Sequence, residues 1–351
     1  MGEIDAQEMY LAPKRPASPL RSQAYHVRRN DSTSGKLYQD LSYLKSDPST
    51  RKSDPNKEVK NLESLNKFIN SSKSEPDWEQ PIDHAPSNIA SYGNLIFVGD
   101  EYGNLSIFEV SSSVICEKIS SQKLNFTNIR NMSVNSKFLG VTYSCLRDKD
   151  IKKYNKKLPT SGICLFTRSE KLVCNDLSSF IKICGGFVSP RGLVLLEDYL
   201  FVSDKDLKKV HKINYDGDII QTYIFDGRVF DISLNSLFLV ASDAENHELY
   251  LIDVTRMSFI RKIKIDQVNK FETGPHHIEI TNDSNGNLIF LNNSTLTEIY
   301  LYDRNLNFTT SFSIKFSKIL NMTILNDPNQ SLIIGSRANN NKCKLSCFIP
   351  K

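Results

Sequence analysis

Residues 189–220 read SPRGLVLLEDYLFVSDKDLKKVHKINYDGDII, and the fold follows from this stretch. Apolar residues gather in short runs over 192–196, 199–203, 209–214 and 218–225. Polar punctuation separates the runs, and Asp216-Gly217 between two of them is a strong hairpin signal. Four strands joined by tight turns make one antiparallel unit. The second run has relatives elsewhere: LIFV from Leu95, LFLV from Leu237 and LIFL from Leu288 match YLFV from Tyr199. A unit that recurs along a chain decides the architecture before any single motif does.

The apolar residue that opens each repeat is Ile89, Met132, Leu193, Ile232, Ile278 or Met322. Successive spacings are 43, 61, 39, 46 and 44 residues. Four of them fall near the ~40–50 residues of a propeller blade, and the long one contains an insertion. The expected fold is therefore all-β, a six-bladed β-propeller over residues 76–351 behind a disordered polar tail, residues 1–75. The sixth repeat offers only three strands, around Met322, Leu332 and Leu345. A closed ring leaves no free sheet edge, so a segment between Leu62 and Ile82 is expected to supply the missing outer strand. Trp78, the one tryptophan, lies outside the repeats.

The tail is rich in Ser, Asp, Lys, Asn and Pro and has too little apolar surface to offset its ordering entropy. It holds a Ser-Pro at Ser18 between Arg15 and Arg21, and two basic pairs, Lys14-Arg15 and Arg28-Arg29. Val59, Leu62, Leu65 and Phe68 have helical spacing. The first residues, MGEIDAQEMY, lack the apolar run of a secretory signal, and no stretch is long and apolar enough to span a bilayer. Seven scattered cysteines without a C-x-x-C pair argue for a reducing compartment and against a zinc site. A cytoplasmic location is expected, with the nucleus admitted by the split basic pairs, and no membrane contact.

The stretch that opens the argument resembles an NHL repeat. Pro190, Gly192, Leu200-Phe201-Val202, Asp204, Val210 and Asp216-Gly217 carry the likeness, and Gly274-Pro275 and Tyr302 extend part of it to the fifth repeat. The WD40 signature is absent. The resemblance implies the propeller found at the C-terminus of tripartite-motif/NHL proteins. RING, B-box and coiled-coil regions do not precede it here, so ubiquitin-ligase activity is not implied. Members of that family include RNA binders that use the top face, where the inner strands begin.

Charge on that face is expected to be uneven. The insertion after Cys145 carries Arg147, Lys149, Lys152, Lys153, Lys156 and Lys157. The corresponding loop of the third repeat carries Lys205, Lys208 and Lys209, and Arg130 and Arg191 open the two inner strands. This sector sets eleven basic residues against four acidic ones, whereas the first and fourth repeats offer Asp100, Glu101, Asp243 and Glu245. Tyr143 and Tyr154 add aromatic surface. Lysine and arginine for phosphates with aromatics for bases suit single-stranded RNA, and the same surface suits an acidic protein segment. Both partners remain open, and no cofactor is implied.

A second constellation precedes the anchors: Asn88, Asn131, Gly192, Asp231, His277 and Asn321. These would ring the channel mouth and would suit a divalent cation, as in metal-dependent lactonase-type hydrolases. No Glu stands in the column, and no nucleophile elbow, phosphate loop or catalytic Cys/His pattern occurs. The expected role is a non-catalytic binding platform, with the hydrolase as the alternative.

Overall fold

A computed structural model describes residues 10–11 and most of 76–348; its longest internal omissions are 144–160, 169–181 and 266–276. Two strands precede the repeats, β1 (Tyr10–Leu11) and β2 (Trp78–Ile82). The first repeat forms β3 (Asn88–Tyr92), β4 (Leu95–Gly99), β5 (Asn104–Ser111) and β6 (Ile115–Lys123). The second forms β7 (Ile129–Val134), β8 (Phe138–Tyr143), β9 (Gly162–Thr167) and β10 (Lys182–Cys184). The third forms β11 (Pro190–Leu195), β12 (Tyr199–Asp204), β13 (Lys209–Asn214) and β14 (Ile219–Ile224). Then come β15 (Val229–Leu234), β16 (Phe238–Asp243), β17 (Glu248–Asp253) and β18 (Ser258–Lys264). The fifth repeat forms β19 (His277–Ile280), β20 (Ile289–Asn292), β21 (Glu298–Tyr302) and β22 (Phe308–Ser313). Last are β23 (Ser317–Ile324), β24 (Leu332–Ala338) and β25 (Cys343–Phe348).

Each of the first five repeats is one antiparallel sheet, and the last three strands take β2 as their fourth. Trp78 lies opposite Cys347 and Ile82 opposite Cys343. The expected closure by the N-terminal flank is thus met, and Trp78 belongs to the closing strand rather than outside the repeats. Successive inner strands pack on one another, and β23 returns to β3. The sheets are therefore the blades of a β-propeller.

One feature of the tail departs from expectation. β1 adds parallel to β10, with Tyr10 opposite Ile183 and Leu11 opposite Cys184. The other tail features, Ser18, the basic pairs and the Val59–Phe68 spacing among them, lie outside the described residues. Among the described residues no helix is long and apolar enough to cross a membrane.

The core is divided among the blade interfaces. Leu95 and Phe97 pack against the second sheet through Met132, Val141 and Tyr143. Ile96 and Val98 of the same strand pack against the last sheet through Ile333 and Leu345. Alternation sends successive residues of a strand to opposite faces, so a middle strand covered on both faces must be continuously apolar. This is why LIFV and its relatives are the strongest repeat signal. Leu200 and Val202 likewise face the second sheet while Phe201 faces the fourth.

Acidic side chains satisfy backbone amides of the turns and of the connection into β11. The Asp204 carboxylate accepts from the backbone N–H groups of Val188 (2.8 Å) and Ser189 (3.0 Å). That of Asp243 accepts from Glu245 N and Asn246 N. Asp100, Asp253 and Asp303 do the same in their own turns. Short polar side chains satisfy turn amides that strand pairing leaves over.

Candidate functional site: a basic rim beside the channel mouth

The inner strands begin with an irregularity. Ladder pairing slips between Ile129 and Asn131, between Pro190 and Leu193, and between Val229 and Asp231. A bulge leaves its extra residue unpaired and re-aims its side chain. The residues so released are Arg130, Arg191 with Gly192, and Phe230. They lie at the starts of neighbouring inner strands, on the top face.

The turn after β12 completes the group. The guanidinium of Arg191 lies 5.0 Å from the Phe230 ring centroid, and the Lys205 ammonium 5.1 Å from the same centroid. All three residues are half-buried. Burial, and then the positive charges of Arg191, Arg228 and Arg130, hold the Lys205 ammonium below the ordinary lysine range, against the opposing pull of Asp206. Arg191 and Lys205 thus meet at one aromatic ring, and Arg228 and Arg130 act electrostatically on Lys205. Further out the charges are paired. Glu245 lies 3.4 Å from Lys208 and 4.0 Å from Arg228, and Asp206 lies 4.0 Å from Arg228. Lys208 also donates to the Asp226 carbonyl at 2.8 Å.

The expected residues divide accordingly. Arg130, Arg191, Lys205, Lys208 and Lys209 are placed on or beside this rim. Arg147, Lys149, Lys152, Lys153, Tyr154, Lys156 and Lys157 lie outside the described residues. Tyr143 is a correction. As the last residue of β8 it is fully buried between the first two blades, so it offers no ring to a base. The acidic counterpart is corrected too. Asp100 and Asp243 are buried turn caps, and Glu245 reaches back to the basic side instead of opposing it from a distance. Phe230 and Arg228 escaped the sequence reading. Phe230 stands one residue before Asp231, as Arg130 and Arg191 stand before Asn131 and Gly192, and that column was the available signal.

Beside the rim opens a central channel of about 270 Å³, lined by residues of all the inner strands. Its mouth is held by cross-bonding rather than by convergence on an ion. Asn131 donates to Asp231 Oδ1 at 3.0 Å, across the third blade. Asp231 also accepts from Ile232 N (3.0 Å) and from Ile278 N (3.1 Å), and His277 Nδ1 lies 3.8 Å from its Oδ2. Asn321 donates to the Ser87 carbonyl, and its own carbonyl oxygen accepts from Met322 N. Asn88 is buried and takes no part in these bonds. Gly192 makes the span possible: a Cβ there would stand 2.6 Å from Ile232 N and 2.9 Å from Asp231 Oδ1. Among the described residues no three His, Cys, Asp or Glu side chains are placed to hold a metal ion.

A second layer lies below. Ser133 accepts from Leu195 N, Ser233 accepts from Ile280 N, and Ser91 donates to the Ile324 carbonyl, each joining neighbouring blades. Glu279 belongs to this layer, two residues after His277. A glutamate therefore does face the channel, although none stands in the column. Burial and then the nearby Asp231 push its carboxyl well above the ordinary range, against a weak bond from the Ser233 hydroxyl.

No family model matches this chain, and no curated protein matches it. Among solved structures it is similar to the WD40 beta propeller domain of Doa1, with a TM-score of 0.54 at 9% identity. The likeness covers 79% of this chain and 97% of that one. At that identity it speaks to the fold, and the fold class it defines is the β-propeller.

Proposed function

We propose that this chain is a non-catalytic binding platform, a six-bladed propeller of the NHL type whose basic rim docks an acidic segment of a partner protein. The observation that supports this reading is the meeting of Arg191 and Lys205 at Phe230, with Arg228 and Arg130 acting electrostatically on Lys205. Loops and bulges on a rigid scaffold are where propellers and other closed folds present binding groups. The four-stranded repeats and the Pro190, Gly192 and Asp216-Gly217 pattern support the NHL assignment.

A fluorescence titration of the full chain with a polyglutamate peptide and with a random single-stranded RNA pool, each at two salt concentrations, tests it. The expected result is salt-sensitive peptide binding that Arg191→Glu with Lys205→Glu reduces about tenfold or more. The thermal midpoint of the double variant serves as the folding control. Binding of RNA alone would move the rim to nucleic acid. Peptide binding untouched by the double variant would place docking elsewhere.

A further inference from the structure

The wall of the central channel holds acidic groups and no basic ones. Its lining includes two carboxyl groups, those of Asp231 and Glu279, and no lysine, arginine or histidine. Asp231 is engaged already, since its oxygens accept from Asn131, Ile232 N and Ile278 N. Glu279 stands apart. It lies wholly within the molecule, and the area it leaves exposed faces the channel. Its one hydrogen bond among the described residues is the 3.5 Å contact from the Ser233 hydroxyl. A carboxyl enclosed in this way normally has firmer partners.

The second layer shows where a partner fits. At three blade boundaries a hydroxyl bonds across: Ser133 to Leu195 N, Ser233 to Ile280 N, and Ser91 to the Ile324 carbonyl. Ser91 also lies 3.3 Å from the Thr323 hydroxyl. Glu279 holds the corresponding place in the fifth blade, yet among the described residues it makes no bond to the sixth. Thr323 is its counterpart on the neighbouring inner strand, β23. The series of cross-blade bonds is thus interrupted between Glu279 and Thr323. The acceptors that meet there are one carboxyl group and the hydroxyl oxygens of Ser233 and Thr323.

This acceptor set suits an ammonium better than a metal ion. Calcium takes roughly six to eight oxygen ligands, and among the described residues no three His, Cys, Asp or Glu side chains are placed to hold a metal. A primary ammonium brings one charge and three donors, enough for one carboxylate and two hydroxyl oxygens. The channel, about 270 Å³, has room for the small organic body attached to it.

We propose that the channel binds a small primary ammonium compound, whose ammonium group donates to the Glu279 carboxylate and to the Ser233 and Thr323 hydroxyl oxygens. The site is separate from the basic rim and does not depend on docking there. In the empty channel, burial and then Asp231 favour the protonated carboxyl of Glu279. An ammonium beside it favours the carboxylate, so binding releases the carboxyl proton to solvent. The titratable neighbours of Glu279 are Asp231 on the fourth blade and His277 on its own strand, 3.8 Å from Asp231. The first, second and sixth blades bring Ser91, Ser133 and Thr323, which carry no charge. Affinity should therefore rise with pH, by up to about tenfold per unit while Glu279 holds its proton.

The test is a calorimetric titration of the full chain with n-butylammonium, in two buffers of different ionisation enthalpy and from mildly acid to mildly alkaline pH. n-Butanol and calcium run beside it. Butylammonium should bind with release of a proton and more tightly as pH rises, and butanol should not bind. Glu279→Gln should weaken binding at least about tenfold and remove both the proton release and the pH dependence. Thr323→Val should weaken it about fivefold. Asp216→Ala, on an exposed turn, should leave it unchanged. The proton release is measured on the unmodified chain, so it decides the matter even where a variant does not fold. Absence of butylammonium binding, equal binding of butanol, displacement by calcium, or binding without proton release would overturn the assignment, and each would leave the reading of the rim standing.

Discussion

The third and fourth blades repeat one design, and the second departs from it at a single kind of position. β12 ends in Asp204 and β16 ends in Asp243, both buried carboxylates that gather backbone N–H groups. The turns that follow are short, and each reaches a left-handed residue, Lys208 (φ 56°) or His247 (φ 57°), before the next strand. β8 ends instead in Tyr143, whose ring joins the core between the first two blades. The connection that follows is the long lysine-rich insertion, residues 144–160. Asp243 fixes its own turn and Asp204 ties the segment entering β11 to the end of β12, whereas Tyr143 at the same position packs into the core. The cations at Phe230 come from the turn after β12 and from the bulge in β11.

The cap should be the costlier feature to lose. Asp204→Ala leaves the Val188 amide and the buried Ser189 amide without their acceptor, and a loss of about 3 kcal/mol in unfolding free energy is expected. Asp216→Ala, at an exposed turn position of the same blade, should cost far less. Urea titrations of the two variants check this. Equal losses would mean that the cap contributes nothing particular, and the contrast between the blades would fail.

The channel mouth sharpens the comparison at a second position. The second blade places Asn131 there, the third Gly192 and the fourth Asp231. Because the middle residue has no side chain, the outer two meet at 3.0 Å. Gly192→Ala would force a Cβ against Ile232 N and Asp231 Oδ1, at a cost of about 2 kcal/mol. Asp231→Ala relieves part of that crowding, so the double variant should lose less than the two single losses combined. Strict additivity in thermal denaturation would show that the mouth is not a coupled unit.

Much of the fold is legible in the sequence because its signal is local. Continuous apolar triplets such as Ile96-Phe97-Val98 mark strands covered on both faces, and Asp216-Gly217 marks a hairpin. Closure by β2 follows from counting strands. The candidate site is less legible because it depends on ladder slips. Nothing in Arg130, Arg191 or Phe230 alone announces a bulge, and it is the bulge that turns them to one rim. Tyr143 misleads for a related reason: its neighbours in sequence are basic, but strand alternation points its ring into the core. Glu279 was missed because the channel has two layers, and a column drawn through the first says nothing of residues two positions on. Asp100 and Asp243 look like surface acids until their hydrogen-bond partners are seen to be their own turns.

The smallest expected effect concerns that second layer. At the corresponding depth the second blade has Ser133 and the fourth Ser233, neutral groups that bond backbone amides across blade boundaries. The fifth has Glu279, whose carboxyl burial and Asp231 push well above the ordinary value of 4.5. The folded chain therefore keeps this proton to a higher pH than the unfolded chain does. Its contribution to stability is most favourable below the unfolded value and declines as pH rises through the interval up to the folded value. Glu279→Gln removes the titration and retains a polar group of the same size. Stability at neutral pH should rise by about 1 kcal/mol, and the decline across that interval should flatten. Thermal midpoints of the two proteins measured from acid to neutral pH give the comparison. Parallel curves would mean that the carboxyl is fully hydrated in the channel and that its neighbours do not hold its proton.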